Sequence, residues 1–337
     1  MDLTTKYLGL TLRNPVVASA GPLTQTLDGV KRLADAGAGA IVLHSLFEEQ
    51  LRAEVAREVA LVEDHAESFA EALNYFPSTP MTTKSAAFSY LALVERSVKA
   101  VEVPVIASLN GADEGGWVQF ARELEDAGAA ALELNTYFVP GDLETPGVWV
   151  TDRHVDILGA VKEAIGIPVS IKMSPYFSSP GYTAMKILGA GADGLVLFNR
   201  FLQPDIDVET LEMTRDFALS TPDDGRLART WLAILRNHTS ASLAGSTGVE
   251  TADDVVRYLL AGADVVMTTA SLIRNGVGHI ASLVDGLVEW CQRKEFGSLD
   301  DVRGRLAVPL DADADAVARS GYVSAIERAK RVYGSLV

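Results

Sequence analysis

Apolar residues fall in a pattern that repeats along this chain. Four segments share it: LADAGAGAIVLHS (33–45), LEDAGAAALELNT (124–136), LGAGADGLVLFN (188–199) and LLAGADVVMTTA (259–270). Each closes a helix at a small Ala-Gly pair, because glycine tolerates the left-handed backbone that ends a helix. Four or five mostly apolar residues follow, as expected of a strand buried on both faces. Four more short runs complete the set: NPVVASAG (14–21), VPVIASLNG (103–111), IPVSIKMSP (167–175) and SASLAGSTG (240–248). Pro104 and Pro168 stand at strand entrances, where a missing N–H is tolerated. The reading predicts eight strands, near 15–20, 40–44, 103–109, 130–135, 168–173, 194–198, 240–244 and 264–268.

Between the strands lie amphipathic patterns such as LDGVKRLADAG, WVQFARELEDAG, RHVDILGAVKEAIG and ADDVVRYLLAG, with apolar positions at three- and four-residue spacing. Alternation of strand and helix demands parallel strands joined by right-handed crossovers. Eight units over roughly 250 residues favour a single closed (β/α)8 TIM barrel. A doubly wound dinucleotide fold should show GxGxxG after its first strand, where this chain has SAGPLTQ. The intervals 45–102 and 199–239 exceed one loop plus one helix and read as insertions at the rim of the site. No linker divides the 337 residues, so one domain is expected, and the segment from 292 onward reads as terminal helices.

Composition changes this picture little. With 48% hydrophobic and 22% charged residues the chain can bury a large core, and its formal net charge of −16 disfavours nucleic acid as a partner. The single cysteine, Cys291, lies in a late helical pattern and reads as packing. The first residues show neither a signal peptide nor a membrane span, so a cytoplasmic location without membrane attachment is expected. The five histidines have no paired ligand spacing, and no metal site is expected.

In a barrel the chemistry sits at the C-terminal strand ends. There the chain places Ser19, His44, Ser45, Asn110, Asn135, Lys172, Asn199, Thr247 and Thr269. Taken singly, each Ser, Thr or Asn reads as a cap or turn residue. Lys172 stands out, since an ammonium directly after a buried strand needs a partner. It reads as a charge beside an anionic ring or phosphate, as a Schiff-base nucleophile, or as half of a salt bridge to Glu133. After the last two strands, Gly245, Thr247 and Gly248, then Thr269, Ala270 and Ser271, occupy turns where barrels often hold phosphate on backbone N–H groups.

The order of these motifs, from about Leu8 to Gly276, resembles the dihydroorotate dehydrogenase family of FMN-containing barrels. NPVVASAG is similar to that family's first-strand segment, LHSLF to its second, LELNTYFVP to its L-N-x-S-C-P-N segment and VSIKMSPYF to its V-K-L-x-P segment; LVLFNRF, AGSTGVETADD and MTTASL follow in order. The resemblance implies FMN as cofactor. Lys172 would stand beside the flavin N1/O2 edge, and Thr247, Gly248, Thr269 and Ala270, with Gly245, would hold the phosphate. Ser19, Ala20, His44, Ser45, Asn135 and Phe198 would line the ring, and Asn74, Asn135 and Asn199 would bind substrate amides.

Three departures bear on the reaction. The family's Cys or Ser base falls at Phe138, the Pro-Asn that follows becomes Val139 and Pro140, and the second-strand lysine becomes His44. Losing a general base costs roughly 10²- to 10⁴-fold. The expectation is therefore an FMN oxidoreductase acting on a CH–CH or C=C bond of a small polar molecule, with dihydroorotate either not the substrate or turned over poorly, and His44 or Tyr137 as replacement acid or base. A flavin-free lyase or aldolase using Lys172, and a non-catalytic flavin-binding member, are the alternatives. The resemblance also implies a homodimer and an electron acceptor or partner subunit that the motifs leave unspecified.

Overall fold

A computed structural model describes residues 1–47, 86–111, 117–136, 138, 141–200, 204–214 and 218–334. Eight parallel strands close on themselves: β3 (Val16–Ala18), β4 (Ala40–Val42), β6 (Val105–Gly111), β7 (Ala131–Thr136), β8 (Val169–Lys172), β9 (Gly194–Leu197), β12 (Ser242–Ser246) and β13 (Val265–Thr268). Closure is made where β13 returns to β3, with Val266 opposite Val16 and Thr268 opposite Ala18. This is the (β/α)8 TIM barrel expected from the repeat. A two-residue strand, β5 (Leu46–Phe47), continues the β4 segment along β6.

Among the described residues the α-helices between barrel strands are α1 (Leu27–Asp35), α2 (Ala86–Ala100), α3 (Trp117–Asp126), α4 (Gly147–Ala164), α5 (Pro180–Gly189), α6 (Gly225–Leu235) and α7 (Ala252–Ala261). After β13 come α8 (Ala270–Asn275), α9 (His279–Arg293) and α10 (Ala314–Tyr333). The glycines of the four repeats, Gly37, Gly128, Gly191 and Gly262, all take positive φ between 91° and 115°, so the repeated Ala-Gly pair is the physical stop of each helix. The aspartate that follows two of them ties strand entrances together: Asp193 accepts from Val169 N and Asp264 from Leu243 N, both at 2.7 Å.

Alternate strand residues separate two cores. Outward residues such as Ile41, Leu132, Ile171 and Leu195 pack beneath the helices. Inward residues Val17, Ala40, Val42, Ile106, Ala131, Val196, Ala244 and Val265 form a second cluster, completed by Tyr7, Leu8 and Leu12. These three come from an antiparallel hairpin of β1 (Thr5–Tyr7) and β2 (Leu10–Leu12). The hairpin lies against the barrel, held by Thr5 Oγ1 donating to Asp264 O (2.9 Å) and Leu8 N to Ser242 Oγ (2.8 Å).

The structure sharpens several expected boundaries. The seventh barrel strand lies at Ser242–Ser246, two residues later than the pattern suggested, because Asp264 fixes its entrance at Leu243. The hairpin β1–β2 and a second one, β10 (Asp205–Asp207) with β11 (Glu212–Thr214) in the 199–239 insertion, were not expected. The insertion at 45–102 contains α2; most of the remainder lies outside the described residues. Cys291 is buried in α9, as expected.

Leu12 is 1% exposed inside the hairpin's cluster. Leu12→Ala is expected to cost about 2–5 kcal/mol, measured by urea unfolding; a loss well below 1 kcal/mol would show that the hairpin does not contribute to the barrel core.

Candidate functional site

The polar residues at the top of the barrel follow from strand alternation. On β7, Glu133 and Asn135 share the inward face with Ala131; on β8, Lys172 shares it with Ser170. Lys172 is only 7% exposed and Glu133 is fully buried. Lys172 Nζ lies 3.4 Å from Glu133 Oε1 and 3.4 Å from Ser19 Oγ, which arrives from the end of β3. Of the three readings of Lys172, the salt bridge to Glu133 is present, and it leaves the ammonium at the mouth.

Lys172 lines one end of a cavity of about 300 Å³. The cavity runs past Ser19, Ala20, Phe198 and Asn199 to two turns, Ser246–Val249 after β12 and Thr268–Ala270 after β13. In the first turn Thr247 and Gly248 both have positive φ, 77° and 68°. Gly248 N donates to Ser220 Oγ (3.3 Å), and a Cβ on Gly248 would stand 2.6 Å from Thr221 O. The insertion before α6 therefore braces this turn. In the second turn, Thr268 Oγ1 bonds Ser271 Oγ at 2.9 Å, and the first N–H groups of α8 have no partner within their helix.

Tyr258 of α7 supports the first turn from below. Its hydroxyl lies 2.7 Å from both Ser246 O and Thr247 O. A Cβ at Gly245 would sit 2.2 Å from the Tyr258 ring. Gly245 thus makes room for that ring and does not line the cavity, unlike Thr247, Gly248, Thr269 and Ala270.

The remaining expected residues divide. Asn199 lines the cavity and donates to Asn135 Oδ1 (2.8 Å), so Asn135 stands one residue behind it. His44 and Ser45 lie toward β6, outside the cavity lining: Ser45 Oγ bonds Ser108 Oγ (2.8 Å), and His44 meets the Tyr90 ring edge-on at 5.0 Å. Asn74 and Tyr137, with Val139 and Pro140, lie outside the described residues. Phe138 packs edge-on to Trp149 at 5.5 Å, with the Arg153 guanidinium 4.9 Å from each ring. Strand-end reasoning passed over Gly21, Arg200 and Ser220, which also line the cavity. Arg200 directly follows the Asn199 strand end, so its position was readable. Ser220 sits deep in an insertion and was not. Among the described residues no group of three or more His, Cys, Asp or Glu could hold a metal, and no helix is long and apolar enough to cross a membrane.

A closed parallel barrel with a buried lysine and two threonine-bearing turns around one cavity at its C-terminal strand ends is a TIM-barrel enzyme. The chain belongs to the dihydroorotate dehydrogenase family, whose model matches residues 2–290. A protein of Aeropyrum pernix, provisionally named dihydroorotate dehydrogenase A (fumarate), is 32% identical over 63% of this chain and 70% of its own length. Catalytic subunits named dihydroorotate dehydrogenase B (NAD(+)) from Methanocella arvoryzae and Thermoplasma acidophilum are 28% and 25% identical, each over 90% of this chain and 97% and 98% of their own. The chain is accordingly a dihydroorotate dehydrogenase-like oxidoreductase.

Burial holds both His44 and His154 below the usual imidazole range; hydrogen bonds to backbone carbonyls, of Thr24 for His44 and of Val150 and Thr136 for His154, oppose the shift. The unfolded chain binds these protons at about pH 6.5, the folded one only at lower pH. Their contribution to stability is present above that value and is lost as pH falls through the folded-state values. Unfolding free energy is expected to decline from about pH 7 to 5, and His44→Gln to flatten the decline. An identical slope in the variant would remove His44 from this account.

Proposed function

We propose that this protein is an FMN-dependent oxidoreductase that moves a hydride between the flavin and a CH–CH or C=C unit of a small polar molecule, in a single barrel domain. The observation that carries the reading is the cavity itself, which joins one buried cation to the turns at Ser246–Val249 and Thr268–Ala270. The donor set suits a ligand with an electron-poor ring at one end and a phosphate at the other. Lys172 would face the ring. Thr247, Gly248, Thr269 and Ala270 would hold the phosphate: N–H groups at the start of α8 would point at the anion, and Gly248, whose own N–H donates to Ser220 Oγ, would let the turn approach it closely. When bound, the flavin supplies a two-electron acceptor; the chain's residues orient it and exclude water.

The neighbours of Lys172 support an electrostatic role over an imine-forming one. A Schiff-base lysine is activated by apolar surroundings or by a second cation, whereas Lys172 has a carboxylate and a hydroxyl beside it. Phe138, packed against Trp149, offers no proton acceptor, which supports a substrate other than dihydroorotate. The relatives are named for fumarate and for NAD(+), so the electron acceptor of this chain is best sought among small soluble oxidants and partner subunits. His44 and Tyr137 are proposed as acid or base, Asn135 and Asn199 with Asn74 as substrate contacts, and a cytoplasmic homodimer as the working form.

Purified protein, reconstituted if necessary with micromolar FMN, is expected to show a flavin absorbance spectrum at one FMN per chain. A colourless protein that takes up none would refute the cofactor. Gly248→Ala, which forces a Cβ toward Thr221 O at a left-handed position, is expected to weaken FMN at least tenfold, about 1.4 kcal/mol, and to change riboflavin affinity far less. Equal losses for both ligands would separate Gly248 from phosphate binding. Anaerobic reduction of bound flavin by dihydroorotate is expected to be slow, and Phe138→Cys to accelerate it by on the order of 10²-fold. No acceleration would mean that Phe138 does not occupy the position of the base.

A further inference from the structure

Glu133 is a fully buried carboxylate inside the barrel, and its Oε2 has no hydrogen-bond partner among the described residues. Asp254, almost equally buried, differs: it accepts from Glu250 N, Thr251 N and Thr251 Oγ1 and pairs with Arg257. Among the described residues Glu133 is paired with Lys172 alone, at 3.4 Å. A buried ion pair seldom adds stability over apolar side chains of similar volume, because both charges lose water. Structural bracing is therefore a poor account of this carboxylate. Its placement suggests another. Glu133 is level with Ser170 on the neighbouring strand, two residues below Lys172. Seen from the cavity, the negative charge stands behind the positive one and cancels part of its field. Ser19, the other neighbour of the ammonium, is neutral.

We propose that Glu133 is a positioning residue that sets how strongly Lys172 stabilises negative charge in the cavity. The proposal rests on FMN as cofactor. Hydride transfer from a CH–CH donor adds two electrons and one hydrogen to the neutral ring and leaves it with one extra negative charge, while the donor releases a proton to solvent or base. Lys172, held by Glu133 while the ring is neutral, turns its charge to the ring when that negative charge develops. Glu133 thereby holds the ammonium in place and also limits the preference of the site for reduced flavin.

The test is the midpoint potential of bound FMN, measured by dye equilibration in the wild type, Glu133→Gln and Lys172→Met. Removing the carboxylate charge is expected to favour reduced over oxidised flavin at least tenfold, a rise of about 30 mV for a two-electron couple, with oxidised-FMN affinity changed less than threefold. Lys172→Met is expected to shift the potential the other way. Glu133→Met, which keeps the volume without the charge, gives the same reading if the Gln variant does not fold. FMN bound with a potential shifted less than twofold in equilibrium, about 9 mV, or shifted downward, overturns the proposal and leaves the cofactor reading intact. A wild type that takes up no FMN overturns both.

Discussion

A closed barrel of eight short strands must fill its own interior, and the rest of this structure follows from how it does so. The strands contribute mainly Ala and Val to the inner cluster, side chains too small to meet across the axis unaided. The β1–β2 hairpin adds the missing volume with Tyr7, Leu8 and Leu12, all at most 2% exposed. Higher up, the inward positions change to Ser108, Glu133, Ser170 and Lys172, all buried. The barrel is thus apolar beside the hairpin and charged toward its mouth. That polarity along one axis places a cation where a ligand over the strand ends would meet it.

The far side of the cavity is organised by backbone, with side chains as supports. Tyr258 reaches Ser246 O and Thr247 O from below, and it can do so because Gly245 has no Cβ. Ser220 and Thr221 brace Gly248 from the insertion before α6. Arg274, paired with Glu250, donates to Ser220 O at 2.6 Å and links the insertion to α8. The two turns and the rim segment are consequently one connected unit, and the positive φ values at Thr247 and Gly248 are held by contacts from Tyr258 on one side and from Ser220 and Thr221 on another.

Much of this was legible in the sequence, for identifiable reasons. The Ala-Gly stops were readable because each demands a backbone that glycine adopts readily, and the barrel strands because burial on both faces leaves unbroken apolar runs. The cavity residues Lys172, Thr247, Gly248 and Thr269 were readable because strand ends in this fold point to one place. Other features were hidden by short range or long separation. Strands of three residues, as in β1 and β2, carry too little alternation to detect. Gly245 looks like a phosphate glycine in GSTG, and only the Tyr258 ring thirteen residues on reveals its use. Glu133 was named only as a possible neighbour of Lys172; nothing local says that half of its carboxylate would lie without a partner among the described residues.

The hairpin that fills the barrel also bears on how the protein is made. Its anchors, Asp264 and Ser242, lie 259 and 234 positions downstream of the residues they hold. On a ribosome, segments nearer the N-terminus emerge first, so Tyr7, Leu8 and Leu12 must wait for nearly the whole barrel before they can be enclosed. Until then three large apolar side chains stay open to other chains or to a chaperone. The same residues that complete the native interior make the nascent chain adhesive, and yield on synthesis would depend on how quickly β12 and β13 follow.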